Sequence, residues 1–335
     1  MASKINTTEY MYCSARIRAV ETMLISSEKI RVMLDGATFS EAISKLEEYG
    51  ADLIYFENGE VDTESTLQKM YNDACELVWN NVVHAENLNF LRYPYDCNNL
   101  KACIKCNIRN ISPDSMLYDC GMFSPDEAKL AVQGEFAGYP KNMSAAISQA
   151  IDAYAKTKNP QNIDIILDRA CYADMLECAE NSGCEFFVEL VRTKIDLTNI
   201  IMCLRLIRMK MGRMGRALLD GAVLSGGTYD LNFFAECYED GEDRLCEALA
   251  FSKYSKFILC ICENPDTLSV IEKYSDDVYM ETAKYAKAVA FGPEVAAGYL
   301  IAVEYQIKNL RIILDAKRTG KTSAQTQERL RCLYV

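Results

Sequence analysis

Few residues in this chain could do chemistry, and they are badly spaced for it. Cys103 and Cys106 form a CxxC pair and Cys260 and Cys262 a CxC pair, the spacings of zinc ligands or a redox dithiol. Neither has a second pair at ligand spacing. His84 is the only histidine, which removes His-rich metal sites and leaves little room for a Ser-His or Cys-His couple. In a run that reads as helix, it is expected to be an ordinary, partly buried side chain. Arg318-Thr319-Gly320-Lys321-Thr322 matches the end of a phosphate-binding loop, but the glycine required five residues before Gly320 is Asp315, and a helical run precedes it where a strand is needed. Gly226-Gly227 falls in a turn between helices without a dinucleotide fingerprint. Asp276-Asp277 could open an aspartate-rich metal helix, yet the third acid position is Met280. No catalytic residue, cofactor site or metal ligand is assigned.

The elements that carry these residues read as helices throughout. Glu, Lys, Leu, Met and Ala dominate the intervals and β-branched alternation is scarce. The seven prolines, at 94, 113, 125, 140, 160, 265 and 293, fall where helices should end or turn. With 335 residues, half of them apolar, the chain can bury a real core. The stretch Met1 to Glu9 has no apolar core of a signal peptide, and the longest apolar run, Phe257 to Cys262, is far too short to span a bilayer. A cytosolic protein with no transmembrane segment is expected, its fifteen cysteines reduced and buried like small hydrophobes. A net charge of −12 argues against a surface built for nucleic acid.

One turn is written three times, as LDGATFS (34–40), YDCGMFS (118–124) and LDGAVLS (219–225). A left-handed Gly ending one helix and a Ser capping the next is the reading for each. It is clearest at Ser124-Pro125-Asp126-Glu127, which orders a cap, a proline at the first helical position and a capping-box Glu.

A longer unit lies behind the turn. Cys97, Leu100, Ile104, Ile108 and Ile111 recur at helical spacing, as do Leu197, Ile200, Leu204, Ile207 and Met211. Asp96 and Asn99 of the first set match Asp196 and Asn199 of the second, and a third version carries Asn309, Leu310 and Leu314. Upstream of each stands Leu67-Gln68-Lys69, Leu167-Asp168-Arg169 or Ile271-Glu272-Lys273, with 30, 30 and 36 residues from the cation to the Asn. Asn58-Gly59, Asn159-Pro160 and Asn264-Pro265 punctuate the units. Three helical repeats follow: 58–158, 159–263, and 264–335, the last completed by 1–57. Asn99, Asn199 and Asn309 are candidate structural positions, for packing or hydrogen bonds at helix ends.

The repeated helix is basic each time. Residues 95–112, 196–217 and 304–321 carry net charges of +2, +4 and +3 in an acidic chain. Cations in last turns offset the helix dipole and line solvated faces. They also suit three related surfaces meeting one partner, which makes Lys101, Lys105, Arg205, Arg208, Arg213, Arg311 and Arg318 candidate partner contacts.

At these residues the sequence resembles the C subunit of bacterial and archaeal V/A-type rotary ATPases, and is similar to the d subunit of the eukaryotic vacuolar enzyme. The resemblance runs nearly end to end: Tyr12 and Ala15-Arg16-Ile17-Arg18-Ala19; Tyr95-Asp96 with Asn99-Leu100-Lys101; Asp196, Asn199 and Leu204-Arg205; Phe291-Gly292-Pro293 before Tyr299-Leu300; then Glu304, Asn309-Leu310-Arg311, Glu328-Arg329-Leu330 and Leu333-Tyr334-Val335. Gln306 departs from the family, which usually has a second Glu there. The resemblance implies an all-α, funnel-shaped subunit of three helical domains related by a pseudo-threefold. It implies a non-catalytic rotor part, without cofactor, that joins the D and F subunits of the central shaft to the membrane rotor ring (c/K ring) on the cytoplasmic face, for ATP-linked proton or sodium transport. A helical-repeat adaptor in another cytosolic complex is the alternative.

Overall fold

Side-chain caps open several of the helices in the computed structural model, which describes residues 6–263 and 268–335. In the N-terminal part, helices α1 (Met11–Glu21), α2 (Ser27–Asp35), α3 (Phe39–Glu48) and α4 (Thr63–Trp79) follow one another, and Ser26, Thr38 and Asp62 each accept a backbone N–H that the first turn of the following helix would otherwise leave unpaired. Between α3 and α4 lies the only bridge among the described residues, Tyr55 with Val61, closed by Asn58-Gly59. The middle of the chain forms α5 (Tyr93–Arg109), α6 (Pro125–Gln133), α7 (Lys141–Thr157), α8 (Gln161–Asn181), α9 (Glu185–Met209), α10 (Arg213–Ala222), α11 (Leu231–Asp240) and α12 (Glu242–Leu249). The remainder is α13 (Ser255–Glu263), α14 (Leu268–Ala283), α15 (Pro293–Arg318) and α16 (Ser323–Gln327).

These helices form two compact units. One is Glu86–Ser252, in which α8 packs on α5, α7 and α9, and α9 carries α10, α11 and α12. The other combines residues 6–85 with Lys253–Val335, and its axis is the 26-residue α15, which packs on α1, α2, α3, α4 and α14. Helix α15 is buried nearly all round, at Val295, Ala297, Ile301, Leu310 and Ile313 among others, as a helix must be when neighbours cover every face. All fifteen cysteines are free thiols, eleven of them buried. Among the described residues no helix is long and apolar enough to cross a membrane.

Several local expectations need correction. The cap at Ser124 forms as read, with a full capping box to Glu127 and Pro125 in the first turn, but Gly121 before it is not left-handed and ends no helix. At LDGATFS, however, Gly36 has φ −53° and is not left-handed, and the cap of the next helix is Thr38, because its side chain sits three residues before the Glu41 N–H. At LDGAVLS, Gly221 stays inside α10, and Asp230 rather than Ser225 caps the next helix. His84 lies in a turn with φ 57° and is exposed, not in a helix. The apolar rows of α5 and α9 stop short of Ile111 and Met211, because Asn110 and Lys210 adopt left-handed φ of 54° and 52° and end both helices. Asn264-Pro265, the proposed start of the third repeat, lies outside the described residues, as does the beginning of the Met1 to Glu9 stretch.

Candidate functional site

The three asparagines singled out by spacing make the same pair of bonds. Asn99 Nδ2 donates to the Tyr118 carbonyl (2.7 Å) while its Oδ1 accepts from the Tyr118 N–H (2.8 Å). Asn199 does the same with Leu224 (2.9 Å each way). Asn309 does it with Arg331 (2.9 and 2.8 Å). An amide side chain has both a donor and an acceptor, so it can pair with the C=O and N–H of one residue as a neighbouring strand would. All three are buried, where unpaired backbone groups would be costly.

Three residues earlier comes a second pin. Asp96 accepts from the N–H groups of Met122 (3.0 Å) and Phe123 (3.1 Å), and Asp196 from that of Thr228 (2.7 Å). Gly121 and Gly227 lie so close to these carboxylates that a Cβ on either would collide with an Oδ1 atom, which accounts for glycine in both loops. Burial pushes the Asp96 carboxyl up to about 7 against the pull of its two N–H donors. In α15 the same position is Gln306, whose Oε1 accepts from the Ile25 N–H at 2.7 Å. Gln306 therefore takes the register of the two aspartates. Counting back three from Asn309 would have found this role in the sequence.

A third shared feature lies eleven residues after each asparagine. Asn110, Lys210 and Gly320 have φ of 54°, 52° and 70°, so a left-handed residue stands in one register at the end of α5 and α9 and two residues past the end of α15.

The candidate contact residues are mostly occupied within the chain. Lys101 and Lys105 of α5 pair with Asp168 and Asp164 of α8. Burial pulls the Lys101 ammonium down, but the Asp168 carboxylate bonded to it more than offsets that and holds it above its ordinary value. Arg208 makes a two-pronged pair with Glu242 of α12 (2.9 and 2.6 Å), and Arg311 with Glu64 of α4 (2.9 and 2.7 Å). Lys101 and Arg311 each stand two residues after their asparagine, and each ties its long helix to another helix of its own unit. Arg318, last in α15, lies over the Phe39 ring at 5.0 Å. Arg205 and Arg213 are exposed. The acids that take up these cations come from distant helices, and nothing in the local spacing announces them.

The other chemical candidates have structural surroundings. Cys103 and Cys106 are buried in α5, the latter 3.9 Å from the Met116 sulfur. Asp276 receives bonds from Tyr305 and Arg331, and Asp277 from the Cys332 N–H. Among the described residues no group of three or more His, Cys, Asp or Glu side chains could hold a metal ion.

The family model of the ATP synthase (C/AC39) subunit matches residues 13–329. Among curated relatives, the C subunit of the V-type sodium ATPase of Enterococcus hirae is 24% identical over 97% of this chain and 99% of its own length. The C subunit of the A-type ATP synthase of Thermococcus onnurineus is 26% identical over 91% of this chain and 86% of its own length. That of Desulfurococcus sp. is 24% identical, over 96% and 90%. A match spanning all three pinned helices, from Cys13 to Arg329, makes the chain a member of the ATP synthase (C/AC39) subunit family.

Proposed function

We propose that this chain is a non-catalytic central-stalk subunit of a V/A-type rotary ATPase, a stiff socket between the central shaft and the membrane rotor ring on the cytoplasmic face. Its partners in this reading are the D and F subunits of the shaft and the c/K ring, and torque passes through it between ATP-linked and ion-linked motors. The observation that carries the reading is the pinned long helix, repeated three times in a chain of this family. Two carboxylate or amide pins hold each of α5 and α9 to its following segment and hold α15 to the segments of Ile25 and Arg331, and packed helices joined this way resist shear. We extend this to the three repeats 58–158, 159–263 and 264–335 with 1–57, related by a pseudo-threefold. Cations already bonded within the chain, Lys101, Lys105, Arg208 and Arg311, serve this stiffness in our reading, leaving contact with partners to other surfaces.

Gel filtration of the purified chain with the shaft subunits, and separately with the detergent-solubilised ring, tests the proposal. Co-elution with both is expected. Binding to neither, with the chain folded and the partners intact, returns it to an adaptor of another complex.

A further inference from the structure

Cys332 stands apart from the cysteines of the core. Eleven of the fifteen are buried, but Cys332 is half-buried and its Sγ lies 3.1 Å from Lys284 Nζ, the nearest polar group it has. Glu281 completes the cluster: its Oε1 accepts from Lys284 at 2.7 Å and stands 3.7 Å from the thiol sulfur. Glu281 is in the last turn of α14, and Lys284 opens the short 3-10 helix Lys284–Ala288 that follows. The segment after α16 is held against them by other groups. Asn309 pairs with both backbone groups of Arg331, Asp277 accepts the Cys332 N–H, and Lys287 Nζ donates to the Tyr334 carbonyl at 3.0 Å. Thiol and amine are therefore kept together by bonds that neither of them makes. The Lys284 side chain is 26% exposed, and both residues line a cavity of about 550 Å³ with Ser27, Ile30 and Leu34 of α2, so a molecule the size of water can reach the sulfur. A partly exposed thiol beside an ammonium is the setting in which cysteine oxidation becomes site-selective.

We propose that Lys284 and Cys332 are the two ends of a reversible covalent bridge, a sulfenamide formed under peroxide that latches the segment after α16 to the turn following α14. Hydrogen peroxide is the oxidant. The thiol sulfur attacks one peroxide oxygen: an S–O bond forms, the O–O bond breaks, and the other oxygen leaves as water with the thiol proton. The sulfur has then lost two electrons and is a sulfenic acid. Lys284 passes one ammonium proton to Glu281, to which it is already bonded, and its nitrogen attacks the sulfenic sulfur. The N–S bond forms and the S–O bond breaks. The hydroxyl leaves as water with the proton from Glu281, and the surplus proton on nitrogen goes to solvent. This condensation needs no further oxidant. A thiol reductant reverses it by attacking the sulfur, which frees the amine and leaves a mixed disulfide that a second thiol opens. The bridge does not depend on the central-stalk reading.

The test treats the full-length chain with hydrogen peroxide, quenches with catalase, alkylates free thiols with iodoacetamide and digests with trypsin. In wild type, mass spectrometry should find the peptides of Lys284 and Cys332 joined with the loss of two hydrogens, and dithiothreitol should separate them. C332S and K284R should lose the joined peptide. K284R should still give a sulfenic acid at Cys332 that dimedone traps, because arginine keeps the charge but stays protonated and does not attack. Amide hydrogen exchange at Leu333, Tyr334 and Val335 should slow in peroxide-treated wild type and not in either treated variant. An unchanged circular dichroism spectrum shows that the variants fold. A sulfenic or sulfinic acid at Cys332 of wild type with no joined peptide overturns the bridge, as does a disulfide from Cys332 to another cysteine or a joined peptide that carries an extra oxygen. A bridge that leaves exchange at Leu333 to Val335 unchanged overturns the latch. Full alkylation of Cys332 after peroxide overturns both.

Discussion

The pins of α9 and α15 use the same register on different kinds of chain. Asp196 and Asn199 hold one continuous loop, at Thr228 and Leu224, in the middle of the sequence. Gln306 and Asn309 hold two separate segments, Ile25 near the beginning and Arg331 near the end. Helix α5 behaves like α9, with Asp96 and Asn99 on the loop Tyr118 to Phe123. One motif thus performs two tasks: fastening a loop to a helix already joined to it, and fastening two segments far apart in sequence to one helix. An amide replaces the acid in the second case, and a neutral Gln can accept the single Ile25 N–H without carrying a charge into the core.

The largest effect should come from Asn199→Ala. Both bonds are buried, so the Leu224 N–H and C=O lose their partners together, at a cost of about 3 kcal/mol in urea unfolding. Asn309→Ala should cost less, about 1–2 kcal/mol, because the residues it frees can fray toward solvent. Hydrogen exchange should then rise in the last residues and stay low in the interior of α15. Equal losses of global stability in the two variants would erase the distinction between loop and chain-end pins.

Asp96→Asn separates the charged pin from the neutral one through pH. The folded-state value of Asp96, about 7, lies above its unfolded value, so its contribution to stability is full below about pH 4 and is lost as pH rises through 7. Wild type should show a slope of up to about 1.4 kcal/mol per pH unit from this group within that window, and D96N should remove it. An identical slope in D96N would assign the titration to another group. The smallest effect is expected from Arg311→Ala, under about 1 kcal/mol by thermal unfolding, since its pair with Glu64 is partly open to solvent.

Much of this architecture is legible in the residues themselves. The helical class, the shared register of Asn99, Asn199 and Asn309 and the capping box at Ser124 all depend on spacing within one segment, which sequence preserves. The partners of the basic side chains do not. Asp164, Asp168, Glu242 and Glu64 meet their cations only because separate helices pack together, so a row of cations that looked available for a partner is largely spent inside the chain. The repeated LDG turn misled for another reason. Three similar strings sit at three different points of their helices, and which residue caps depends on where the preceding helix stops. At LDGAVLS that stopping point is Ala222, beyond Gly221, so the glycine of the string ends nothing.

The division of labour among the pins also bears on where this chain could be cut. Gln306 and Asn309 already clasp two segments that are far apart in sequence, Ile25 and Arg331. Loops held by the same clasp, between Tyr118 and Met122 or between Leu224 and Thr228, are therefore natural places where a proteolytic nick would leave both new ends fastened. A nick at either site would be held by Asn99 with Asp96, or by Asn199 with Asp196, as the segments of Ile25 and Arg331 are held by α15.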